Sequence, residues 1–215
     1  MRRVKAGDVI HLSDGAGRVF DARVEGAGPS KVSVTVVSEL SVPRPHPKLT
    51  IAQGVAKGRK VDLVIEKLVE LGVDEIVVFN AERSIPIWDD QKRRNMAERY
   101  RGLAYAAAKQ SRRAWFPEVR GPVDRSDILS MSARSPRCLI ASPSADASFR
   151  QAMGDRPHDG LTLIVGPEGG FGPDEVADFA EAGAIPVRLG PQILRTETAP
   201  LVLASIALYE LGRLE

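Results

Sequence analysis

The spacing of apolar residues changes near residue 45. Before it, short alternating runs predict strands near 8–12, 17–25 and 31–38, with turns at Asp14-Gly15 and over the G-A-G-P of residues 26–29. After it, Val61, Val64, Ile65, Leu68 and Val69 recur at helical spacing, and Gly72 closes that helix. A strand is expected at 75–79. A long helix follows over 89–110, with a charged first half and an Ala-rich second half, and a shorter one over 128–133. The run R-C-L-I-A (137–141) reads as a strand, as does 161–165. A helix opens at Pro173, a strand spans 184–189, and an apolar helix fills 200–211. Strand and helix alternate to the end, which predicts an α/β fold with a mostly parallel sheet covered on both faces. The stretch S-V-P-R-P-H-P (41–47) cannot continue a sheet ladder and favours an extended connector. It predicts a boundary between residues 1–44, a small β domain, and residues 45–215, the α/β domain.

Two loops carry the chemistry. In the first, the continuous apolar run Leu161, Leu163, Ile164, Val165 fits a strand buried on both faces of a parallel sheet. It runs into G-P-E-G-G-F-G (166–172), and Pro173, Asp174 and Glu175 then suit the first turn of a helix. The loop therefore lies at the carboxyl edge of the sheet, where open α/β sheets bind ligands. Glu168 stands where a dinucleotide fingerprint needs glycine, and no Lys follows Gly170 as a phosphate-cradling loop requires. Its acids would repel phosphate, so the loop suits a ligand that is neutral or cationic at the contact, a sulfonium compound included. The second loop repeats the grammar. A strand ends at Leu189, Gly190 and Pro191 turn the chain, and Arg195, Thr196, Glu197 and Thr198 precede the last helix, with Thr196 or Thr198 as its cap. Taken singly, the first is also a tight structural turn and the second a capping box with a surface ion pair. Two such loops in succession weaken both alternatives.

Composition narrows the setting. The 215 residues hold one cysteine, Cys138, which excludes an internal disulfide; its apolar strand makes it a buried, inert thiol. Three scattered histidines and no H-x-x-x-H pair argue against zinc, so no metal is expected. No apolar stretch approaches spanning length and no signal peptide opens the chain, so a cytoplasmic protein without a membrane partner is expected. The net charge of +2 is unevenly spread: residues 1–60 carry about +6, residues 111–137 about +3, and residues 138–215 about −6. A basic front half suits a phosphate backbone, although such runs are also ordinary solvated surface. Trp88, Trp115 and Phe116 could stack on bases, but packing is the more common use of such rings.

The paired motifs G-P-E-G-G-F-G-P-D-E and L-G-P-Q-I-L-R-T-E-T-A resemble those of the 16S ribosomal RNA uracil-N3 methyltransferases, a family of the SPOUT superfamily of α/β-knot enzymes. Upstream, A-Q-G-V-A-K-G (52–58), E-K-L-V-E-L-G-V (66–73), E-R-S (82–84) and K-Q-S-R-R (109–113) with P-E-V (117–119) resemble further family segments, so the likeness covers nearly the whole chain. It implies a trefoil-knotted domain preceded by a PUA-like β-barrel. Here M-R-R-V-K-A-G-D stands where the family's R-L-K-x-G-D lies, so that barrel is expected to be shortened. It implies S-adenosylmethionine as cofactor, bound by Val165, Gly166, Pro167, Glu168, Gly169, Gly170, Leu189, Gly190, Ile193, Leu194 and Thr196. Arg195 is the first candidate to steady charge on the uracil carbonyls, with Arg113 next. Glu197 and Glu168 are candidates to take the N3 proton, and sequence does not choose between them. Arg83, Gln110, Arg113, Arg2 and Arg3 are expected to face RNA. The implied partners are 16S ribosomal RNA or the 30S subunit, and a second copy through the knot domain. The alternatives are a related knot enzyme acting on a ribose or on transfer RNA, and a non-catalytic RNA-binding protein of this fold.

Overall fold

The alternating runs of the first forty residues form three antiparallel strands, β1 (Val9–Ser13), β2 (Arg18–Ala27) and β3 (Val32–Ser41), in the order β1-β2-β3. The computed structural model describes residues 4–84, 88–154 and 159–214, which fall into two units. The first unit comprises Met1–Arg44 together with Arg112–Phe116. β2 runs further than alternation predicts because it absorbs Gly26 at a shift of register between Val24 and Gly26. The turn is then closed by the Gly28 amide on the Lys31 carbonyl, 2.8 Å. The segment Arg112–Phe116 reaches this sheet through backbone pairs: the Gly17 amide bonds the Ala114 carbonyl, and the Phe116 amide the Gly15 carbonyl. Trp115 lies over Gly17, donates its indole N–H to the Val42 carbonyl at 2.9 Å, and takes the Arg44 guanidinium 5.3 Å from its ring centre. Packing is therefore the use of this ring.

The second unit, Pro45–Ser111 and Pro117–Glu215, holds an all-parallel sheet of six strands. These are β4 (Leu49–Gly54), β5 (Glu75–Asn80), β6 (Glu118–Asp124), β7 (Cys138–Ala141), β8 (Leu161–Val165) and β9 (Ile185–Val187), in the order β6-β5-β4-β8-β7-β9. The helices are α1 (Lys60–Leu71), α2 (Asp90–Gln110), α3 (Arg125–Arg134), α4 (Phe149–Met153), α5 (Pro173–Glu181) and α6 (Ala199–Glu210). α1 packs on α2 and α6, and α6 on β4 and β8, while α3 and α5 pack together on the other face. Every residue of β4 and β8 is buried, the burial that makes central parallel strands read as unbroken apolar runs. One face buries Phe79, Ile140, Ile164 and Phe179 together. α1 ends where expected, with Gly72 left-handed and its amide on the Leu68 and Val69 carbonyls.

Two elements were not foreseen. β6 contains Gly121-Pro122, a pair that reads as a break. It is nevertheless a strand because it lies at the sheet edge, and because Gly121 (φ +104°) passes so close to Val78 that a Cβ would stand 2.1 Å from its carbonyl oxygen. α4 is five residues long, too short for periodicity, and rests on a capping box in which Ser148 and Gln151 satisfy each other's backbone. Cys138 is buried in β7; burial pushes its thiol up to about 11, against a smaller opposing effect of the Ser132 hydroxyl.

The last turn of the chain is tied back to the sheet. Arg213 follows α6 and bonds Asp74 through both guanidinium nitrogens, at 2.6 and 3.1 Å, and the Pro47 and Gly72 carbonyls besides. Asp74 in turn accepts the Leu49 amide at the start of β4, 2.8 Å. Arg213→Ala removes a cation that grips a buried carboxylate through two nitrogens. It should destabilise the protein by about 3 kcal/mol, read as a lower midpoint in chemical denaturation.

Candidate active site

Three strands deliver their carboxyl ends to one side of the parallel sheet, and the loops that follow enclose a cavity of about 800 Å3. β8 ends at Val165 and feeds the first loop, 166–172. This loop sits tightly on the end of β4: a Cβ on Gly54 would come within 2.7 Å of the Pro167 nitrogen, so only glycine allows the approach. The Gly170 amide closes a turn on the Pro167 carbonyl at 2.9 Å. Glu175, in the first turn of α5 and fully buried, accepts the Gly172 amide with one oxygen and the Glu82 amide with the other, both at 3.0 Å. The E-R-S loop is thereby fastened to the first pocket loop, and Arg83 adds a bond to the Gly169 carbonyl at 3.2 Å.

The chain leaves the sheet after Val187, two residues earlier than the apolar run suggests, so Leu189 lies in the second loop and lines the cavity. That loop crosses back from the β9 edge toward β4. The Thr196 hydroxyl donates to the Gly166 carbonyl at 2.7 Å and accepts from the Gln53 side-chain amide at 3.0 Å. Thr196 is therefore no helix cap. Thr198 holds the cap position of α6, but its side chain makes no capping bond; the Arg195 carbonyl instead accepts the Thr198 and Ala199 amides at 2.9 Å.

All the pocket residues expected from the two loops line this one cavity: Val165 to Gly170, Leu189, Gly190, Ile193, Leu194, Arg195, Thr196 and Glu197. Ile193 lines it while remaining 81% exposed. The expected RNA-facing residues are not gathered there. Arg83 is an exposed side chain behind the first loop, and Gln110 is the exposed last residue of α2. Arg113 belongs to the antiparallel unit, and Arg2 and Arg3 lie outside the described residues.

Two contributors escaped the sequence reading. Ala141 to Ser144, where β7 runs out, form a further wall; the Ser142 amide bonds the Val187 carbonyl at 2.9 Å. The signal was present, since R-C-L-I-A also runs from a buried strand into a Pro/Ser loop. The other is Lys60, at the start of α1. Its ammonium lies 3.0 Å from Glu168 Oε1 and 3.7 Å from Glu197 Oε2, so one cation spans acids from both loops. A helical register gives no hint of that.

The two acids differ. Burial works against ionisation of Glu168, but its own backbone amide, the Lys60 ammonium and the Lys57 amide outweigh it and hold the carboxyl below its ordinary value. Glu197 Oε2 is buried with no hydrogen-bond partner, and 3.7 Å from Lys60 is too long for one. The Arg195 side chain is exposed at the same cavity. The described residues contain no group of three or more His, Cys, Asp or Glu placed to hold a metal ion, and no helix among them is long and apolar enough to cross a membrane.

Lys60→Met should raise the Glu168 titration midpoint toward the ordinary 4.5, measured by carbon-detected NMR of the carboxyl groups. A lowered folded-state value contributes stability that is present above that pH and lost as pH falls, so the variant should also lose less stability on acidification.

Comparison with known proteins fits this geometry. A family model described as RNA methyltransferase domain matches residues 43–208. The ribosomal RNA small subunit methyltransferase E of Mycobacterium bovis is 36% identical over 219 residues, covering 99% of this chain and 80% of the relative. The protein of the same name from Bacillus subtilis is 33% identical, covering 97% and 84%. A crystal structure of ribosomal RNA small subunit methyltransferase E from Neisseria gonorrhoeae, bound to S-adenosyl methionine, superposes with a TM-score of 0.85 at 28% identity, covering 96% and 84%. With its paired carboxyl-edge loops and a match that spans most of its length, the chain belongs to the RNA methyltransferase family that includes these ribosomal enzymes.

Proposed function

We propose that the chain is an S-adenosylmethionine-dependent methyltransferase that modifies N3 of a uridine in the 16S RNA of the small ribosomal subunit. The observation that carries this reading is the buried Glu197 oxygen, which has the Lys60 ammonium at 3.7 Å but no hydrogen-bond donor, and whose residue lines the same cavity as the exposed Arg195. A buried acceptor without a donor is unfavourable unless a ligand supplies one, and N3–H of uracil is such a donor. The cofactor of the Neisseria relative fits the residues present here. Val165, Val187, Leu189 and Leu194 offer apolar walls, the loop backbones offer amides and carbonyls, and Glu168 and Glu197 suit a cationic sulfur. When bound, S-adenosylmethionine supplies a methyl group already activated by that positive charge.

The protein then has to position and to manage charge. Arg195 meets the negative charge that grows on the uracil carbonyls as N3 gives up its proton. Glu197 receives the proton. Glu168, already engaged by Lys57 and Lys60, holds the loop and balances charge. The uracil has to leave any base stack to enter the cavity.

The same reading assigns residues 45–215 to a trefoil-knotted SPOUT domain and residues 1–44 to a PUA-like RNA-binding domain. It keeps Arg83, Gln110 and Arg113 on the RNA side and puts the enzyme in the cytoplasm. It also makes the protein a homodimer through α6. That helix is apolar all round, yet Ile206 and Tyr209 stay exposed, as does Leu63 on α1, which packs on α6.

Incubation with labelled S-adenosylmethionine and either 30S subunits or bare 16S RNA, followed by mass spectrometry, should place the methyl group on N3 of one uridine. A methylated ribose, or no label in either substrate while transfer RNA in a parallel incubation takes it up, would end this assignment. Arg195→Ala should slow transfer by about a hundredfold or more while calorimetry finds cofactor affinity within a few-fold of wild type. Glu197→Gln should cost a similar factor, about a hundredfold, in single-turnover transfer, with cofactor affinity again within a few-fold of wild type.

A further inference from the structure

We infer that Gln53 is a positioning residue that clasps the two pocket loops together, so that neither loop holds its ligand-binding shape without the other. Gln53 lies near the end of β4, belongs to neither loop and is 1% exposed. Its side-chain nitrogen faces three oxygens: the Gly54 carbonyl at 2.9 Å, the Thr196 hydroxyl at 3.0 Å and the Gly166 carbonyl at 3.4 Å. Two of these can only accept, which fixes the amide with its NH2 toward the loops. The Thr196 hydroxyl gives its own proton to Gly166, so toward Gln53 it too can only accept. The bonds therefore run in one direction, from Gln53 through Thr196 to Gly166.

This orientation leaves Gln53 Oε1 buried without a partner. A position chosen for packing alone would be apolar, as Leu49 and Ile51 are on the same strand. The amide is kept because its NH2 group joins two segments 143 and 113 residues away in the chain. Thr196 stands between Arg195 and Glu197, so its placement sets where both side chains start. Gly166 opens the first loop. Gln53 does not line the cavity and acts only through its neighbours.

The inference rests on the reading of the two loops as the cofactor pocket, and the test separates them. In the free protein, hydrogen exchange of peptides covering 166–172 and 189–198 should quicken in both loops on Gln53→Met and on Thr196→Val. Thr196→Ser, which keeps the hydroxyl, should retain wild-type protection. Calorimetry with S-adenosylmethionine should then find about tenfold weaker binding for each single variant, and no further loss in the double variant, as expected of residues in one network. If Gln53→Met does not fold cooperatively, the Thr196→Val and Thr196→Ser pair decides alone. Unchanged exchange in the first loop of Thr196→Val, or affinity losses that add in the double variant, would overturn the clasp. Exchange that quickens in both loops of the variants, together with a wild-type protein that binds no S-adenosylmethionine, would uphold the clasp and remove the cofactor assignment.

Discussion

The 2.7 Å bond from the Thr196 hydroxyl to the Gly166 carbonyl can exist only if the chain turns back after β9. β9 is the edge strand, and β7 and β8 lie between it and β4. The second loop therefore crosses the ends of two strands before α6 packs on β4 and β8. The parallel register makes this crossing useful, because it brings the ends of β7, β8 and β9 to one side of the sheet. The cavity is what remains between those loops, and its chemistry follows from which residues the crossing passes over it: Arg195, Thr196 and Glu197.

Charge in the pocket is organised by one lysine. Glu168 and Glu197 come from different loops, and either acid alone would repel the other. Lys60 pairs with both but hydrogen-bonds only Glu168. One carboxylate is thus quieted and its neighbour left with an unmet oxygen, although the two are the same chemical group. The difference arises from placement on the fold, as it does wherever paired carboxylates take separate roles.

Much of this was legible in the sequence because burial on both faces leaves a plain trace. β8 stands where its apolar run does, α1 ends at Gly72, and the Gly/Pro loops after β8 and β9 do border a cavity. What escaped depends on distant partners. β6 is a strand because Val78 accepts the close approach of Gly121, which no local pattern encodes. Thr196 looks like a cap by position, and only the crossing gives its hydroxyl a better acceptor. Lys60 sits in a run of charges that reads as solvated surface until Glu168 and Glu197 arrive beside it. The family motifs carried the pocket as a block; they did not say which bonds hold it.

α6 is anchored at both of its ends. Its start follows the Thr196 contact to Gly166, and just past its end Arg213 grips Asp74 at the foot of β4 and β5. Local opening of the second loop thus pulls on a helix pinned to the central strands at opposite edges. Fluctuations that would expose the pocket floor are thereby merged with rarer, larger unfolding events, and the C-terminal stretch behaves as a single cooperative unit rather than a hinged flap.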